Sequence, residues 1–195
     1  MSQISIKSRL LLGLANGPGH GRALAKRIAA SQPTVARLLR TLERESILVA
    51  EQQGKNTVYR LAETYAARHA LAAAEHEKTT TFLTSHPRAA GILEQVLKST
   101  DAALVLLFGS YATGTERESS DLDLYVSTDK EGRDALNEFH SKLRIQAGTL
   151  DISSGIGQEI IRKHVILRGI DDFLTLTRPE RKWQAAARDT LGDYR

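Results

Sequence analysis

Apolar residues recur at helical spacing through the first part of the chain. The first predicted helix ends at the Asn-Gly-Pro-Gly sequence of residues 16–19, and its apolar stripe consists of Ile6, Leu10, Leu11 and Leu14. A short second helix contains Leu24 and Ile28. Ser31 is placed to cap a third helix with Pro33 in its first turn, and the inward face of this helix carries Val35, Leu38, Leu39 and Leu42. The pattern therefore predicts three consecutive helices.

Two short strands are predicted directly after the third helix. Residues 47–52 and 57–61 have strand-like composition and flank a Gln-Gly-Lys-Asn turn. Three helices followed by a hairpin resemble a winged helix-turn-helix from about residue 4 to 62. Within it, residues 22–28 and 31–43 are similar to the recognition unit of ArsR- and MarR-like regulators. This resemblance implies double-stranded DNA as a partner.

The polar face of the third helix carries the candidate DNA contacts. Its N-terminal end is the part that enters the major groove in helix-turn-helix proteins, and the hairpin turn is placed to touch phosphate or the minor groove. The candidates are Ser31, Gln32, Thr34, Arg37, Arg40, Thr41, Arg44, Lys55 and Asn56. Residues 1–62 hold ten Lys and Arg against three Asp and Glu, whereas the rest holds seventeen against twenty, so the basic excess is local. The alternatives are a winged helix used for protein contacts and a helical bundle with solvated charges.

The length of 195 residues suits two small domains, each with its own core. We expect residues 1–62 to form the DNA-binding domain, residues 63–87 an alanine-rich helical linker, and residues 88–195 a second domain with a C-terminal helix. Trp183 is expected to anchor that last helix. The linker helix, together with the two-fold symmetry of most operators, favours a homodimer.

The second domain begins with two predicted strands that bring chemistry together. The apolar run 104–108 stops at Gly109-Ser110, which indicates a buried strand ending in a tight turn where a ligand can approach the backbone. Asp121 and Asp123 are two residues apart in the next strand, so both carboxylates lie on one face of the sheet. A divalent cation relieves the repulsion between such carboxylates, and oxygen ligands suit Mg²⁺ or Mn²⁺.

A third carboxylate is expected from Asp151. It lies in residues 148–153, which read as a short strand, after a helical stretch containing Leu136, Phe139 and Leu143. The predicted order is strand, strand, helix, strand, and the predicted fold class is mixed α/β (α+β) with a small mixed sheet. Three carboxylates are the ligand set of a two-metal site.

These residues resemble the minimal nucleotidyltransferases of the DNA polymerase beta superfamily over about residues 88–170. Ten residues separate Ser110 from the Asp-x-Asp motif, as in that family, although Thr113 stands where many members carry arginine. The resemblance implies that Gly109 and Ser110 hold a triphosphate and that Asp121, Asp123 and Asp151 ligate the metals and carry catalysis. Residues 160–169 look like the family's closing helix.

The resemblance implies an enzyme that moves a nucleoside monophosphate from an NTP, with ATP expected, to an acceptor hydroxyl. Minimal nucleotidyltransferases often act as antitoxins that modify a HEPN partner, so a HEPN-like protein partner and autoregulation through the winged helix are expected. The main alternative is a non-catalytic regulator whose second domain senses a nucleotide. In a further alternative, a nucleic-acid end presented by the basic domain is the acceptor.

Composition excludes several kinds of site and several classes of protein. The chain contains no cysteine, which excludes disulfides, thiolate-zinc sites and cysteine nucleophiles. No run approaches the roughly eighteen apolar residues of a membrane span, and the start lacks the pattern of a secretory signal. A cytoplasmic location is therefore expected.

Overall fold

The computed structural model describes residues 4–178. Over these residues the chain divides into two compact units, an N-terminal unit of residues 4–77 with Arg178 and a C-terminal unit of residues 78–177. The division falls within a single helix, between Glu77 and Lys78. Each unit has its own sheet. The expected site of Trp183 lies outside the described residues.

The N-terminal unit consists of helices around a small antiparallel sheet. Its elements are α1 (Ile6–Ala15), β1 (Gly19–His20), α2 (Gly21–Arg27), α3 (Gln32–Arg44), β2 (Leu48–Gln53), β3 (Asn56–Leu61) and the first part of α4 (Tyr65–Ser85). The three strands lie in the order β1-β3-β2. The sequence pattern missed β1, which is only two residues long and pairs with Val58 and Tyr59 of β3. Three helices followed by a two-stranded wing are the winged helix-turn-helix arrangement.

Helix α3 forms where its cap and apolar stripe predict. The Ser31 hydroxyl accepts a hydrogen bond from the backbone N–H of Thr34, and Pro33 fits the first turn because its missing N–H needs no partner there. Val35, Leu39 and Leu42 are buried. The opposite face of the helix is therefore free to carry charge.

A carboxylate from α4 supports the start of α1. The side chain of Glu77 accepts hydrogen bonds from the backbone N–H of Ser5, from the Ser5 hydroxyl at 2.9 Å and from the Ser8 hydroxyl. These hydrogen bonds lower the pKa of Glu77 below its ordinary value. The bond from the Ser8 hydroxyl has the largest effect, and the bond from the Ser5 N–H has the next largest. A negative charge at this end also complements the helix dipole.

The C-terminal unit is built around a four-stranded mixed sheet. Its elements after α4 are α5 (Pro87–Lys98), β4 (Val105–Phe108), α6 (Gly109–Thr113), β5 (Leu122–Val126), α7 (Lys130–Glu138), β6 (Leu143–Ala147), α8 (Gly155–Arg162), β7 (Val165–Arg168) and α9 (Ile170–Thr177). The strand order is β6-β5-β4-β7. Strands β5 and β6 are parallel and the other pairs are antiparallel. The core includes Leu93 and Val96 of α5, Leu136 of α7 and alternate strand residues such as Leu107 and Leu124.

Two of the predictions for this unit were wrong. The third strand is β6 at residues 143–147, not residues 148–153, because Leu143 and Ile145 alternate into the core as strand residues do. Residues 160–169 are not one helix, since α8 ends at Arg162 and β7 follows. The β-branched pair Val165-Ile166 satisfies its backbone by pairing with β4.

No helix within residues 4–178 combines the length and apolarity needed to cross a membrane. The expected cytoplasmic location stays a prediction.

Candidate active site and DNA interface

The residues of the predicted nucleotide site meet at one end of the strands of the four-stranded sheet, which we call the sheet edge. Strand β4 ends at Phe108, which pairs with Asp123, and Gly109 follows directly. Strand β6 runs parallel to β5 and begins at the same edge, where Asp123 is in register with Arg144. The edge therefore joins the Gly-Ser turn, the Asp-x-Asp motif and the start of β6.

Gly109 is needed for its conformation and for its missing side chain. Its φ is +69°, in the left-handed region that favours glycine. A Cβ added there would lie 2.3 Å from Oδ2 of Asp123, well inside van der Waals contact. Gly109 thus lets the backbone turn directly against the Asp123 carboxylate.

Ser110 and Thr113 belong to the short helix α6. Ser110 is half-buried, and its carbonyl accepts a hydrogen bond from the Thr113 hydroxyl at 2.9 Å. The neighbouring Tyr111 packs edge-on against Phe82 and His86. Aromatic packing under α6 holds this turn in place at the sheet edge.

The carboxylates at the edge repel one another. The pKa of Asp123 is raised, mainly because the carboxyl group is partly buried, and the negative charges of Asp121 and Glu159 raise it further. The guanidinium of Arg144 acts in the opposite direction. Its Nη2 lies 3.3 Å from Oδ2 of Asp121 in an ion pair. The site thus concentrates negative charge that one arginine partly balances.

Asp151 lies elsewhere in the unit. Strand β6 carries the chain away from the edge, because its last residue, Ala147, pairs with Val126 at the far end of β5. Asp151 follows in a loop, is exposed, and accepts hydrogen bonds from the N–H and hydroxyl of Ser153. These hydrogen bonds lower the pKa of Asp151, and the bond from the Ser153 hydroxyl has the largest effect. The structure therefore does not bring Asp151 together with Asp121 and Asp123.

The donor set fits one kind of metal site. Among residues 4–178, no three His, Cys, Asp or Glu side chains converge in a way that could hold a metal ion. Mg²⁺ bound with a nucleotide commonly uses only one or two protein carboxylates, the remaining ligands being phosphate oxygens and water. Asp121 and Asp123, on one face beside a tight turn, fit a metal ion that arrives with a triphosphate.

The predicted DNA-contact residues lie on two neighbouring surfaces of the N-terminal unit. Arg37, Arg40, Thr41 and Arg44 line a depression along α3. Gln32, Lys55 and Asn56 line a cavity of about 580 Å³ between α3 and the wing. Ser31 and Thr34 are hydrogen-bonded to each other at the start of α3, through their hydroxyls at 2.8 Å.

Several further residues, which were not predicted, lie at both sites. The cavity beside the wing is also lined by His20, Arg22 and Tyr59, and a basic residue in the first turn of α2 was a signal for Arg22. At the sheet edge, Arg144 and Glu159 were not predicted to act on Asp123. Their positions depend on the register of β6 and on the path of α8, which no local pattern shows.

Comparison with known proteins identifies the domain that contains this edge. Residues 92–169, which are 78 of the 195 residues, match the family model "Polymerase beta, Nucleotidyltransferase". The chain thus contains a nucleotidyltransferase domain of the polymerase beta family, as the motif spacing predicted. No curated protein matches the chain at a significant level.

Solved structures give weaker similarities. The adhesin competence repressor AdcR from Streptococcus pyogenes is 17% identical with a TM-score of 0.34, over 50% of this chain and 67% of that one. A mutant of Lactococcus lactis ZitR is 18% identical with a TM-score of 0.33, over 52% and 65%. Human N-acetylserotonin methyltransferase in complex with SAM is 13% identical with a TM-score of 0.28, over 74% and 61%. The chain thus spans about two thirds of the length of each of these proteins.

Proposed function

We propose that the protein binds DNA through its N-terminal unit and transfers a nucleoside monophosphate from an NTP, with ATP as the expected donor, to an acceptor hydroxyl through its C-terminal unit. The observation that carries the catalytic part is the contact between the Gly109 turn and the Asp123 carboxylate within a polymerase beta domain. It places a phosphate-approachable backbone beside a metal-binding type of side chain.

Four residues at this edge have roles in the proposal. Gly109 and Ser110 bind the triphosphate, because the turn leaves the backbone accessible. Asp121 and Asp123 hold Mg²⁺ or Mn²⁺, which supplies charge neutralisation to the phosphates and to the leaving pyrophosphate. The proposal gives Asp151 no such role, since it lies outside this cluster.

The DNA-binding part rests on charge and shape. Arg37, Arg40 and Arg44 are exposed on one face of α3, and Lys55 lies at the tip of the wing. A helix and a wing that both carry positive charge match the phosphate backbone on either side of a groove. The remaining proposed contacts are Ser31, Gln32, Thr34, Thr41 and Asn56. A homodimer fits a two-fold operator, and a HEPN-like protein is the proposed acceptor in an autoregulated pair.

A second candidate function is a regulator that binds a nucleotide without transferring it. It is favoured by one observation, namely that the strand beside Asp123 presents Arg144 in register, not a carboxylate. Such a site binds a metal-nucleotide complex with two protein ligands and lacks a third for a second metal ion.

Incubation of the full chain with α-labelled NTPs and Mg²⁺ or Mn²⁺, with and without cell lysate, tests the proposal. Label should appear on a protein or nucleic acid and vanish in Asp121→Asn and Asp123→Asn. Asp151→Asn serves as the matched carboxylate control and should keep transfer. Nucleotide binding by calorimetry without any labelled product would favour the regulator.

A further inference from the structure

Arg144 has a specific relationship to the candidate metal ligands. It shares a face of the sheet with Asp121 and Asp123, because it is in register with Asp123 on a parallel strand. Its Nη2 is 3.3 Å from Oδ2 of Asp121. Its Nη1 donates to the carbonyls of Ser141 at 2.9 Å and Leu143 at 2.8 Å. The guanidinium is thus held beside Asp121 by main-chain carbonyls at the start of β6 and just before it.

A guanidinium and a metal ion compete for the same carboxylate. Both carry positive charge, and two cations close to one carboxylate oxygen repel each other. While Arg144 pairs with Asp121, it reduces the negative potential that attracts a metal ion. The paired site is therefore poorer in metal affinity than its two carboxylates alone would be.

The ion pair is also easy to open. The side chains of Arg144 and Asp121 are 57% and 39% exposed, and exposed ion pairs contribute little stability. A metal ion that arrives with a triphosphate brings additional negative charge. The planar guanidinium donates to phosphate oxygens in the same bidentate manner as to a carboxylate, so the nucleotide offers Arg144 a replacement partner.

We propose that Arg144 is the internal counter-ion of Asp121 in the nucleotide-free protein and a triphosphate-binding residue in the nucleotide-bound protein. This inference rests on the proposed function of the sheet edge as a nucleotide site. It makes metal affinity depend on the nucleotide: Arg144 weakens the binding of free Mg²⁺ or Mn²⁺ and strengthens the binding of the metal-nucleotide complex.

Arg144→Ala in the full chain tests both halves, with Arg133→Ala as control. Arg133 is a partly exposed arginine of α7 that pairs with Asp134, so its loss removes the same charge from the same unit. The first measurement is a titration with Mn²⁺ alone, in which electron paramagnetic resonance reports the concentration of the free ion. Arg144→Ala should bind Mn²⁺ about five-fold more tightly than wild type, and Arg133→Ala should bind it nearly as wild type does. Unchanged or weaker Mn²⁺ binding in Arg144→Ala would overturn the counter-ion role.

The second measurement is calorimetric binding of a non-hydrolysable ATP analogue in the presence of Mg²⁺. Arg144→Ala should bind it about ten-fold more weakly, and Arg144→Lys should recover part of the affinity because it keeps the charge without the fork. Binding that is unchanged or tighter in Arg144→Ala contradicts the triphosphate role. The opposite signs of the two effects separate this inference from a purely structural role, which would weaken both.

The two proposals fail in different ways. If the wild-type chain binds neither Mn²⁺ nor the analogue, the nucleotide site itself is wrong and Arg144 has nothing to regulate. If wild type binds both and Asp121→Asn loses Mn²⁺, the site is established. An Arg144→Ala protein that then behaves like wild type overturns only the inference about Arg144.

Discussion

The backbone at Gly109 lies directly against the carboxylate of Asp123. Gly109 directly follows β4, whose last residue, Phe108, pairs with Asp123 of the antiparallel strand β5. A Cβ on residue 109 would come within 2.3 Å of Oδ2 and 3.1 Å of Cγ of Asp123. This contact links the turn predicted to bind phosphate to the side chain predicted to bind the metal ion. Changes at either residue should therefore affect the same ligand.

Gly109→Ala should impair the nucleotide site more than it impairs folding. The left-handed φ of +69° costs alanine about 1 kcal/mol in free energy of unfolding, and the methyl group also forces the Asp123 carboxylate to move. We expect at least ten-fold weaker binding of the Mg²⁺ complex of a non-hydrolysable ATP analogue by calorimetry.

Gly114→Ala is the matched control for this variant. Gly114 has nearly the same φ, +68°, but nothing lies within 4 Å of its added Cβ. It should show a similar loss of stability in urea unfolding and near-normal nucleotide binding. Equal losses of binding in both variants would mean that the Asp123 contact does not matter.

Asp123→Asn should abolish metal binding without destabilising the fold. Burial and two neighbouring negative charges raise the pKa of Asp123, so its ionised form opposes folding at neutral pH. We expect the free energy of unfolding to be unchanged or higher by no more than about 1 kcal/mol after solvent screening. Urea unfolding measures the stability and Mn²⁺ titration of the same sample measures the metal binding. A clear loss of stability would contradict the electrostatic argument.

Arg37→Ala and Arg40→Ala should each weaken binding to double-stranded DNA. Each removes a proposed phosphate contact, so the slope of log affinity against log salt should fall by about one per variant. Arg22→Ala should act in the same direction, because Arg22 lines the cavity beside the wing. Fluorescence anisotropy at several salt concentrations measures the slopes.

Arg88→Ala provides the comparison for these DNA-binding variants. Arg88 is exposed on α5 of the C-terminal unit, so its removal lowers the net charge equally without touching the proposed interface. Its salt slope should match that of wild type. A slope reduced as strongly as in Arg37→Ala would point to net charge alone.

Glu77→Gln should lower the stability of the N-terminal unit by about 1 kcal/mol at pH 7, because α1 loses a charged partner at its N-terminal end. The pKa of Glu77 is lowered on folding, so its contribution is present above the ordinary value of 4.5 and is lost as pH falls through the lower folded value. The difference between wild type and variant in urea unfolding should therefore shrink only at acidic pH.

Glu94→Gln is the control for this pH dependence. The pKa of Glu94 is also lowered, through its hydrogen bond and ion pair with Lys98, but both side chains of that pair are largely exposed. An exposed pair of this kind contributes little. The Glu94→Gln protein should follow wild type across the pH range, and a Glu77→Gln difference that persists unchanged at acidic pH would contradict the role of the charge.

Local patterns in the sequence predicted much of the fold. Ser31, Pro33 and the apolar stripe of α3 act over one or two helical turns, so cap and periodicity were sufficient there. The strands β4 and β5 and the Gly-Ser turn between them were equally clear. Residues 143–147 were misassigned because Leu136, Phe139 and Leu143 mimic a helical spacing, and only pairing with β5 decides that Leu143 and Ile145 lie in a strand.

The sequence by itself determined that two charge-distinct parts exist, that one is a winged helix, and that a Gly-Ser turn and an Asp-x-Asp motif belong to a nucleotidyltransferase domain. These features depend on residues close together in the chain. Only the tertiary structure decided which third group faces the aspartates, because that depends on strand register and on the direction of β6. The parallel pairing of β5 and β6 puts Arg144 beside Asp123 and carries Asp151 away from it.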